Sequence, residues 1–176
     1  ATVEHAILGG AQVVQYRDKS HSRTFRYRQA HELHQLCQHY QVPLIINDYL
    51  DLVIEIDADG LHVGQHDAAI AKARNQLGDN KIIGASCYNN LGLALQAEKE
   101  GVDYVAFGAF FPSLTKPNTV SATMNLIGEA KNKITVPIVG IGGIRLTNAK
   151  KVIQSGCIAI AVCNDLFQSG NIKAKA

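Results

Sequence analysis

Short apolar runs alternate with stretches of helical periodicity along the whole chain. Between the runs, apolar residues recur at intervals of three and four, which predicts amphipathic helices. Strands that are apolar on both faces belong to a parallel sheet covered by helices. The pattern therefore predicts an α/β protein of seven strands that alternate with helices. The predicted strands lie near residues 11–16, 43–47, 60–64, 81–85, 102–108, 136–140 and 158–162.

The regular alternation favours a (β/α)₈ TIM barrel over an open doubly wound sheet. A glycine-rich dinucleotide fingerprint would support the open sheet, but none follows the first predicted strand. Residues 1–10 have the pattern of a helix end closed by Gly9 and Gly10, with no strand before it. We therefore expect a TIM barrel that lacks its first strand in this sequence, with residues 1–176 forming a single domain.

Polar residues of the N-cap type precede several predicted helices. Caps are predicted at Ser22, Asn90, Ser121 and Thr147. The fourth predicted strand is expected to end just before Ser86.

The composition is that of a globular protein, with 47% hydrophobic and 18% charged residues and a formal net charge of +2. Lysines and arginines are scattered and do not form the clustered basic patch that is typical of nucleic-acid-binding proteins. No apolar stretch is long enough to span a bilayer. No signal peptide is visible, so a cytoplasmic protein is expected. The oligomeric state is left open, with a homo-oligomer among the alternatives.

Cysteines and histidines give no clear metal-site spacing. The cysteines are all predicted to be reduced core thiols: Cys37, Cys87, Cys157 and Cys163. His31 and His34 lie one helical turn apart, and we interpret them as a solvated helix face rather than a metal pair. His62 lies within a strand and is interpreted as a hydrogen-bonded core histidine.

Polar and small residues collect where the predicted strands end, which is the ligand-binding edge of parallel α/β sheets. Asp48 and Asp67 follow neighbouring strands, so they could share one divalent cation. Each aspartate alone could instead cap the next helix. Asn47 lies beside Asp48 at the same strand end. The other strand ends carry Arg17, Lys19, Ser86, Ser113, Thr115, Lys116, Gly142, Gly143, Cys163 and Asn164. This set suits a phosphorylated small-molecule substrate that is held partly through a metal. The alternative for Gly142 and Gly143 is an ordinary tight turn, and the alternative for the lysines is a solvated rim.

Several motifs occur in a fixed order along the chain: QYRDK at 15–19, IND at 46–48, ADGLHVGQ at 58–65, IGAS at 83–86, FG at 107–108, PSLTK at 112–116 and IGGI at 141–144. Any one of them is weak, but the ordered set resembles the thiamine phosphate synthase family of (β/α)₈-barrel enzymes. The resemblance covers residues 9–167. It implies a transferase of thiamine biosynthesis that joins hydroxymethylpyrimidine diphosphate to a thiazole phosphate and releases pyrophosphate.

The resemblance also implies roles for individual residues. Asp48 and Asp67 would bind Mg²⁺, the implied cofactor. Ser86 and the cations Arg17, Lys19 and Lys116 would be the catalytic groups. The pyrimidine diphosphate would be held by Gln15, Tyr16, Arg17, Asp18, Lys19, Asn47, Ser86 and Lys116. The thiazole phosphate would be held by Ser113, Leu114, Thr115, Gly143, Cys163 and Asn164.

The sequence departs from the family pattern at five positions: Tyr49 for a usual Arg, Tyr88 where many members have His, Ala109 for Pro, Ser113 for Thr and Asn164 for Ser. The sister family of thiazole tautomerases relies on a His at the position of Tyr88, so a synthase is favoured. A non-catalytic, phosphate-binding regulatory barrel is the other alternative. It would need no metal, and the pair Asp48 and Asp67 argues against it.

Overall fold

The structure, a computed structural model, describes residues 2–19, 22–64, 70–112 and 121–176. Its strands are β1 Val14–Tyr16, β2 Leu44–Asn47, β3 Gly60–Val63, β4 Ile82–Tyr88, β5 Tyr104–Phe107, β6 Ile138–Ile141 and β7 Ala159–Ala161. Its helices are α1 Thr2–Gly9, α2 Arg23–His39, α3 Leu50–Ile56, α4 Ile70–Leu77, α5 Leu91–Lys99, α6 Met124–Lys131, α7 Leu146–Ser155, α8 Asn164–Phe167 and α9 Ile172–Lys175. The predicted alternation of strands and helices is confirmed.

Each strand pairs in parallel with the next strand along the chain, so the sheet order is β1 to β7. The Gln15 side chain on β1 nevertheless hydrogen-bonds the hydroxyl of Tyr104 on β5, although three strands separate them in the sheet. The sheet must therefore curl to bring these side chains together. The described part of the chain is a curled, TIM-like seven-stranded sheet with β1 and β7 at its edges.

The core lies between the sheet and the helices, and it is most complete around the central strands. Every residue of β2 and of β3 is buried. Residues near the two sheet edges are less buried. Val13, just before β1, is 55% exposed, and Ile158, just before β7, is 69% exposed. At the chain ends, α1 packs against α9, where a Cβ at Gly9 would overlap the carbonyl of Lys173. In the described residues no helix is both long and apolar enough to cross a membrane.

The structure confirms two of the predicted helix caps. The Ser22 side chain accepts the N–H of Phe25 at 3.4 Å, and the Asn90 side chain accepts the N–H of Leu93 at 3.3 Å.

The other two predicted caps are wrong. Ala122 N–H bonds the carbonyl of Ala109, which holds the chain extended past Ser121, and Thr123 caps α6 instead. Helix α7 already begins before Thr147, where the Asn148 side chain accepts the N–H of Arg145 at 2.8 Å.

Three further sequence predictions need correction. Strand β4 does not end at Ala85 but includes Ser86 and continues to Tyr88, with a register shift against β5. His34 is not solvated, because it shares the core-facing side of α2 with Ala30 and Cys37 and is only 5% exposed. Cys163 is exposed rather than a core thiol, because it lies beyond the edge strand β7 at the start of α8. The predictions hold for His31, which is exposed, and for the remaining three cysteines, which are buried.

An arginine ties together the chain connections at the N-terminal ends of the central strands. Arg74 Nη1 donates to the carbonyls of Gly78 and Lys81, both at 2.8 Å. Its Nη2 donates to the carbonyl of Gly101 at 2.8 Å and to the carboxylate of Asp103 at 2.6 Å. This side chain therefore holds the segments that lead into β4 and β5 and fixes the two strands relative to each other.

We expect Arg74→Ala to lower the free energy of unfolding by about 1–3 kcal/mol, because several backbone carbonyls lose their donor. Lys72→Ala is the matched control, since Lys72 is exposed on the same helix and should change stability by less than about 0.5 kcal/mol. Urea denaturation of both variants measures the difference. Equal stabilities would mean that water replaces the arginine without loss.

Candidate functional site

A polar cleft lies at the C-terminal ends of β1 to β4. Its lining residues come from four consecutive strand ends: Arg17, Lys19, Asn47, Asp48, Gly64, Ser86 and Tyr88. Five of them were predicted to bind substrate or metal. Parallel pairing of sequence neighbours brings these residues together, because it places every strand's C-terminal end at the same edge of the sheet.

Asp48 is held inside this cleft by charge and by the backbone. Its carboxylate lies 2.8 Å from the ammonium group of Lys19, and its side chain is only 11% exposed. Its N–H bonds the carbonyl of His62 at 2.9 Å, and its φ of 71° is unusual for a residue other than glycine. Asp48 does not cap α3, because Tyr49 occupies the N-cap position and makes no side-chain cap. The alternative interpretation of Asp48 as a helix cap is therefore wrong.

Ser86 is connected to a buried hydrogen-bond chain behind the cleft. Its Oγ lies 2.8 Å from Nε2 of His62, and Nδ1 of His62 lies 2.8 Å from the hydroxyl of Tyr104. Burial raises the pKa of Tyr104 well above its usual value, and the hydrogen bond from Gln15 opposes this shift. The prediction of a hydrogen-bonded core histidine is confirmed, but its connection to Ser86 was missed.

The strand register explains why sequence reasoning missed this chain. His62 pairs with Gly84, and Gly84 pairs with Tyr104, so the three residues lie side by side on adjacent strands. A Cβ at Gly84 would overlap the Tyr104 ring. The glycine therefore leaves the space through which tyrosine reaches histidine. In the sequence, the only sign of this contact is a single Gly within a predicted strand. Which side chain fills the space at that Gly becomes known only from the strand register.

The remaining residues of the first strand end occupy different environments. Tyr16 is buried, and its hydroxyl donates to Gln29 at 2.9 Å. Burial and the nearby Asp18 carboxylate raise the pKa of Tyr16. Gln15 is exposed and Asp18 is half-buried. Tyr16 therefore supports the wall of the site rather than presenting its hydroxyl to the cleft.

One further cation near the site was not predicted. The guanidinium of Arg26 on α2 lies 4.3 Å from the ring centroid of Tyr49, and its charge acts on Tyr16. Tyr49 stands where an arginine was expected from the resemblance. The structure thus places a guanidinium from another helix over this tyrosine ring, an arrangement that helical periodicity alone could not reveal.

The double glycine forms a tight turn between β6 and α7. Gly142 and Gly143 have φ values of 96° and 62°, which glycine adopts readily. A Cβ at Gly143 would lie 2.5 Å from the carbonyl oxygen of Pro112 and 2.6 Å from that of Phe111. The close approach that requires glycine here is therefore to the protein's own backbone, and the turn packs beneath the segment that precedes Ser113.

The predicted residues of the last strand end lie beside this turn. Cys163 is exposed at the N-cap position of α8, and Asn164 is the first residue of that helix. The neighbouring Asp165 accepts the N–H of Leu146 at 3.3 Å, so α8 is joined to the start of α7. Hydrogen bonding to Lys175 lowers the pKa of Asp165, which keeps this contact anionic at neutral pH.

Several predicted site residues lie outside the described ranges: Asp67, Ser113, Leu114, Thr115 and Lys116. Within the described ranges, no group of three or more His, Cys, Asp or Glu side chains could hold a metal ion. The cleft does offer the oxygen atoms of Asp48, Asn47 and Ser86, the type of ligand that Mg²⁺ prefers.

Comparison with known proteins connects this geometry to a family. Residues 1–166 match the family model described as thiamine monophosphate synthase. The chain belongs to the thiamine monophosphate synthase family. The predicted resemblance is therefore confirmed.

Individual members of the family are close relatives. The thiamine-phosphate synthase of Nitrosomonas eutropha is 53% identical over 172 residues, covering 98% of this chain and 81% of that protein. The thiamine-phosphate synthase of Nitrosococcus oceani is 51% identical over 171 residues, covering 97% of this chain and 79% of that protein. Among solved structures, thiamine phosphate pyrophosphorylase from Pyrococcus furiosus matches with a TM-score of 0.88 and 32% identity, covering 99% of this chain and 83% of that chain.

The exposure of Cys163 gives a direct check on this end of the site. Burial raises the pKa of Cys37 to about 11 and that of Cys87 to about 12, and it also raises the pKa of Cys157. Because thiolates are the reactive form, a thiol reagent at neutral pH should modify Cys163 quickly and the other three only on unfolding. The measurement is a chromogenic thiol titration of the native protein.

The variant Cys163→Ser is the control for this titration. It should lose the fast phase entirely, whereas all remaining thiols should react once denaturant is added. A fast-reacting thiol that persists in Cys163→Ser would contradict the burial of the other cysteines.

Proposed function

We propose that this chain is a thiamine-phosphate synthase, a transferase that couples hydroxymethylpyrimidine diphosphate to a thiazole phosphate and releases pyrophosphate. The proposal rests on membership of the family and on the names of close relatives. The single observation that carries it is the polar cleft, in which cations and oxygen donors from four strand ends surround one space.

The cleft fits the diphosphate end of the pyrimidine substrate. Arg17 offers a planar fork of N–H donors to phosphate oxygens, and Lys19 offers a point charge. Asn47 and Ser86 add neutral hydrogen-bonding groups at the same edge. By the family resemblance, Lys116 joins them from the segment after β5. Three positive charges around one diphosphate would stabilise the negative charge that grows on it as it leaves.

In the proposed reaction, the bond between the pyrimidine methylene carbon and the diphosphate oxygen breaks first. The electron pair of that bond leaves with the diphosphate, and a pyrimidine-stabilised carbocation remains. The lone pair of the thiazole nitrogen then forms the new C–N bond. The reaction needs no covalent protein nucleophile, so the protein contributes positioning, charge stabilisation and exclusion of water.

The implied cofactor Mg²⁺ fits the donor set of the cleft, although only one of its two predicted carboxylates lies in the described residues. Asp48 would hold the ion together with Asp67. When bound, Mg²⁺ would neutralise phosphate charge and orient the diphosphate oxygens. The Lys19 ammonium, 2.8 Å from the Asp48 carboxylate, would remain beside the same diphosphate as a second positive charge.

The thiazole phosphate would bind at the other side of the strand-end edge, near Gly143, Cys163 and Asn164. The turn at Gly143 leads into the start of α7, and the N-terminus of a helix is a place where anions are favoured. The N–H groups of Arg145 and Leu146 are already taken by the Asn148 and Asp165 side chains, so the phosphate would use the other amides of this turn. Ser113 and Thr115 would add hydroxyl groups by the family resemblance.

We further propose that the described strands belong to a (β/α)₈ barrel formed by a single domain, with the eighth strand position between β1 and β7. The exposed Val13 and Ile158 beside these two edge strands support this arrangement.

The test of the function is the release of pyrophosphate from the two synthetic substrates, with thiamine phosphate identified by mass spectrometry. We expect product only when both substrates and Mg²⁺ are present. A thiazole tautomerase would instead convert a thiazole precursor without releasing pyrophosphate, and a regulatory barrel would bind phosphates without turnover. Either result would contradict the proposal.

Asp48→Asn should lower kcat by roughly 100-fold or more and raise the Mg²⁺ concentration needed for half-maximal rate, because an amide binds the ion more weakly than a carboxylate. Steady-state kinetics over a Mg²⁺ titration gives both quantities. Asp79→Asn is the matched control, since Asp79 is exposed at the opposite end of the sheet and its substitution should be silent. A normal Mg²⁺ dependence in Asp48→Asn would rule out the metal-binding role.

A further inference from the structure

A chain of hydrogen bonds runs from the first strand of the sheet to the polar cleft. It connects the Gln15 side chain to Tyr104, Tyr104 to His62, and His62 to Ser86. The two contacts of His62 are both 2.8 Å, and His62 is only 5% exposed. The family resemblance assigned roles to Gln15 and Ser86 but none to the two residues between them.

The donors and acceptors of these hydrogen bonds fit a direction that starts at Gln15 and ends at Ser86. The Gln15 side chain hydrogen-bonds the Tyr104 hydroxyl, and its amide N–H can donate to the phenolic oxygen. Burial raises the pKa of Tyr104 overall, so the hydroxyl keeps its proton and needs an acceptor. Nδ1 of His62 is 2.8 Å away and accepts this proton only when it carries none of its own.

The tautomer of His62 then determines what Ser86 can do. With Nδ1 accepting, the ring proton of a neutral imidazole must lie on Nε2. Nε2–H therefore donates to Ser86 Oγ, at 2.8 Å, and occupies one lone pair of that oxygen. The single proton of the serine hydroxyl is then available for another acceptor, and Ser86 lines the polar cleft.

We propose that Tyr104 and His62 are positioning residues that hold Ser86 as a hydrogen-bond donor toward an acceptor atom of the pyrimidine diphosphate. Tyr104 fixes His62 as the Nε2–H tautomer, and His62 orients the Ser86 hydroxyl. The inference rests on the proposed role of Ser86 in substrate binding and catalysis.

Gly84 is the structural requirement for this arrangement. His62, Gly84 and Tyr104 are register partners on β3, β4 and β5, and a Cβ at Gly84 would overlap the tyrosine ring. Only a residue without a side chain on the middle strand lets Tyr104 reach across to His62. The glycine thus opens a path between two strands that are not neighbours.

If the hydrogen bonds ran in the opposite direction, with Ser86 donating to His62, the chemistry of Ser86 would differ. If His62 carried its proton on Nδ1, Ser86 would donate to Nε2, as a serine does beside a histidine base in nucleophilic catalysis. Ser86 would then have no proton left for a substrate acceptor. The two arrangements share the same heavy-atom positions, so the proton on the imidazole distinguishes them.

The tautomer is measured by long-range ¹H–¹⁵N correlation spectra of protein labelled with ¹⁵N-histidine, where His62→Gln identifies the His62 signals. We expect the Nε2–H tautomer in the unsubstituted protein and a mixture of tautomers in Tyr104→Phe, which keeps the ring but removes the hydroxyl. The Nδ1–H tautomer in the unsubstituted protein would overturn the proposal. This measurement requires no substrate and no activity.

Kinetics tests the effect on Ser86. Tyr104→Phe should lower kcat about 10-fold and change KM little, because a misdirected hydroxyl affects the reacting geometry more than binding. In a Ser86→Ala background, where kcat is already roughly 100-fold lower, the same change should have almost no further effect. An equal 10-fold loss in both backgrounds would show that Tyr104 acts elsewhere and would overturn the proposal.

Tyr40→Phe is the matched control for loss of a tyrosine hydroxyl. Tyr40 donates to Glu4 at 2.7 Å in a half-buried contact outside the cleft, so kcat should stay unchanged. If the unsubstituted protein releases no pyrophosphate from the two substrates, the proposed function fails, while the histidine spectra still decide whether Tyr104 sets the tautomer. Normal pyrophosphate release together with an unchanged kcat in Tyr104→Phe would instead refute only the positioning role.

Discussion

Parallel hydrogen bonding between each strand and its sequence neighbour is the constraint on which the rest of this structure depends. It is continuous from β1 to β7 and gives every strand the same direction. All strand C-termini therefore meet at one edge, and residues far apart in sequence become neighbours there. Arg17, Asp48 and Ser86 share a cleft for this reason alone. The curl of the sheet then brings the Gln15 and Tyr104 side chains together across its interior.

The two ends of the sheet use carboxylates in different ways. At the N-terminal end, acidic side chains accept backbone N–H groups: Asp59 from Leu44 at 2.8 Å, Asp103 from Ile83 at 2.7 Å, and Glu98 from Thr135 at 2.6 Å. The hydrogen bonds from Thr135 lower the pKa of Glu98. These carboxylates provide hydrogen-bond acceptors for backbone N–H groups near the starts of the strands. At the C-terminal end, the Asp48 carboxylate instead faces the ammonium of Lys19 inside the cleft. Structural and ligand-binding roles are thus separated along the strand direction, as expected for this class of sheet.

Buried polar groups inside the sheet are organised by the absence of a side chain at Gly84. The interior of a curled sheet is packed densely, so a tyrosine hydroxyl can reach a histidine two strands away only where the intervening strand has no Cβ. A buried polar chain of this type costs free energy unless each member is paired, and both imidazole nitrogens of His62 are paired. The same pairing that satisfies these groups also connects them to Ser86 at the edge of the cleft.

The sequence by itself determined the α/β class, the seven strands, the caps at Ser22 and Asn90, and the grouping of polar residues at one sheet edge. Those features follow from local periodicity, local cap chemistry and the rule that parallel strands end together. The ordered motifs also identified the family. Only the tertiary structure decided the start of α6 at Met124, the burial of His34 and the exposure of Cys163, because each depends on which elements pack or hydrogen-bond nearby. The contact of Tyr104 with His62 and the position of Arg26 over Tyr49 were likewise beyond the sequence, because they depend on strand register and on the placement of one helix against another.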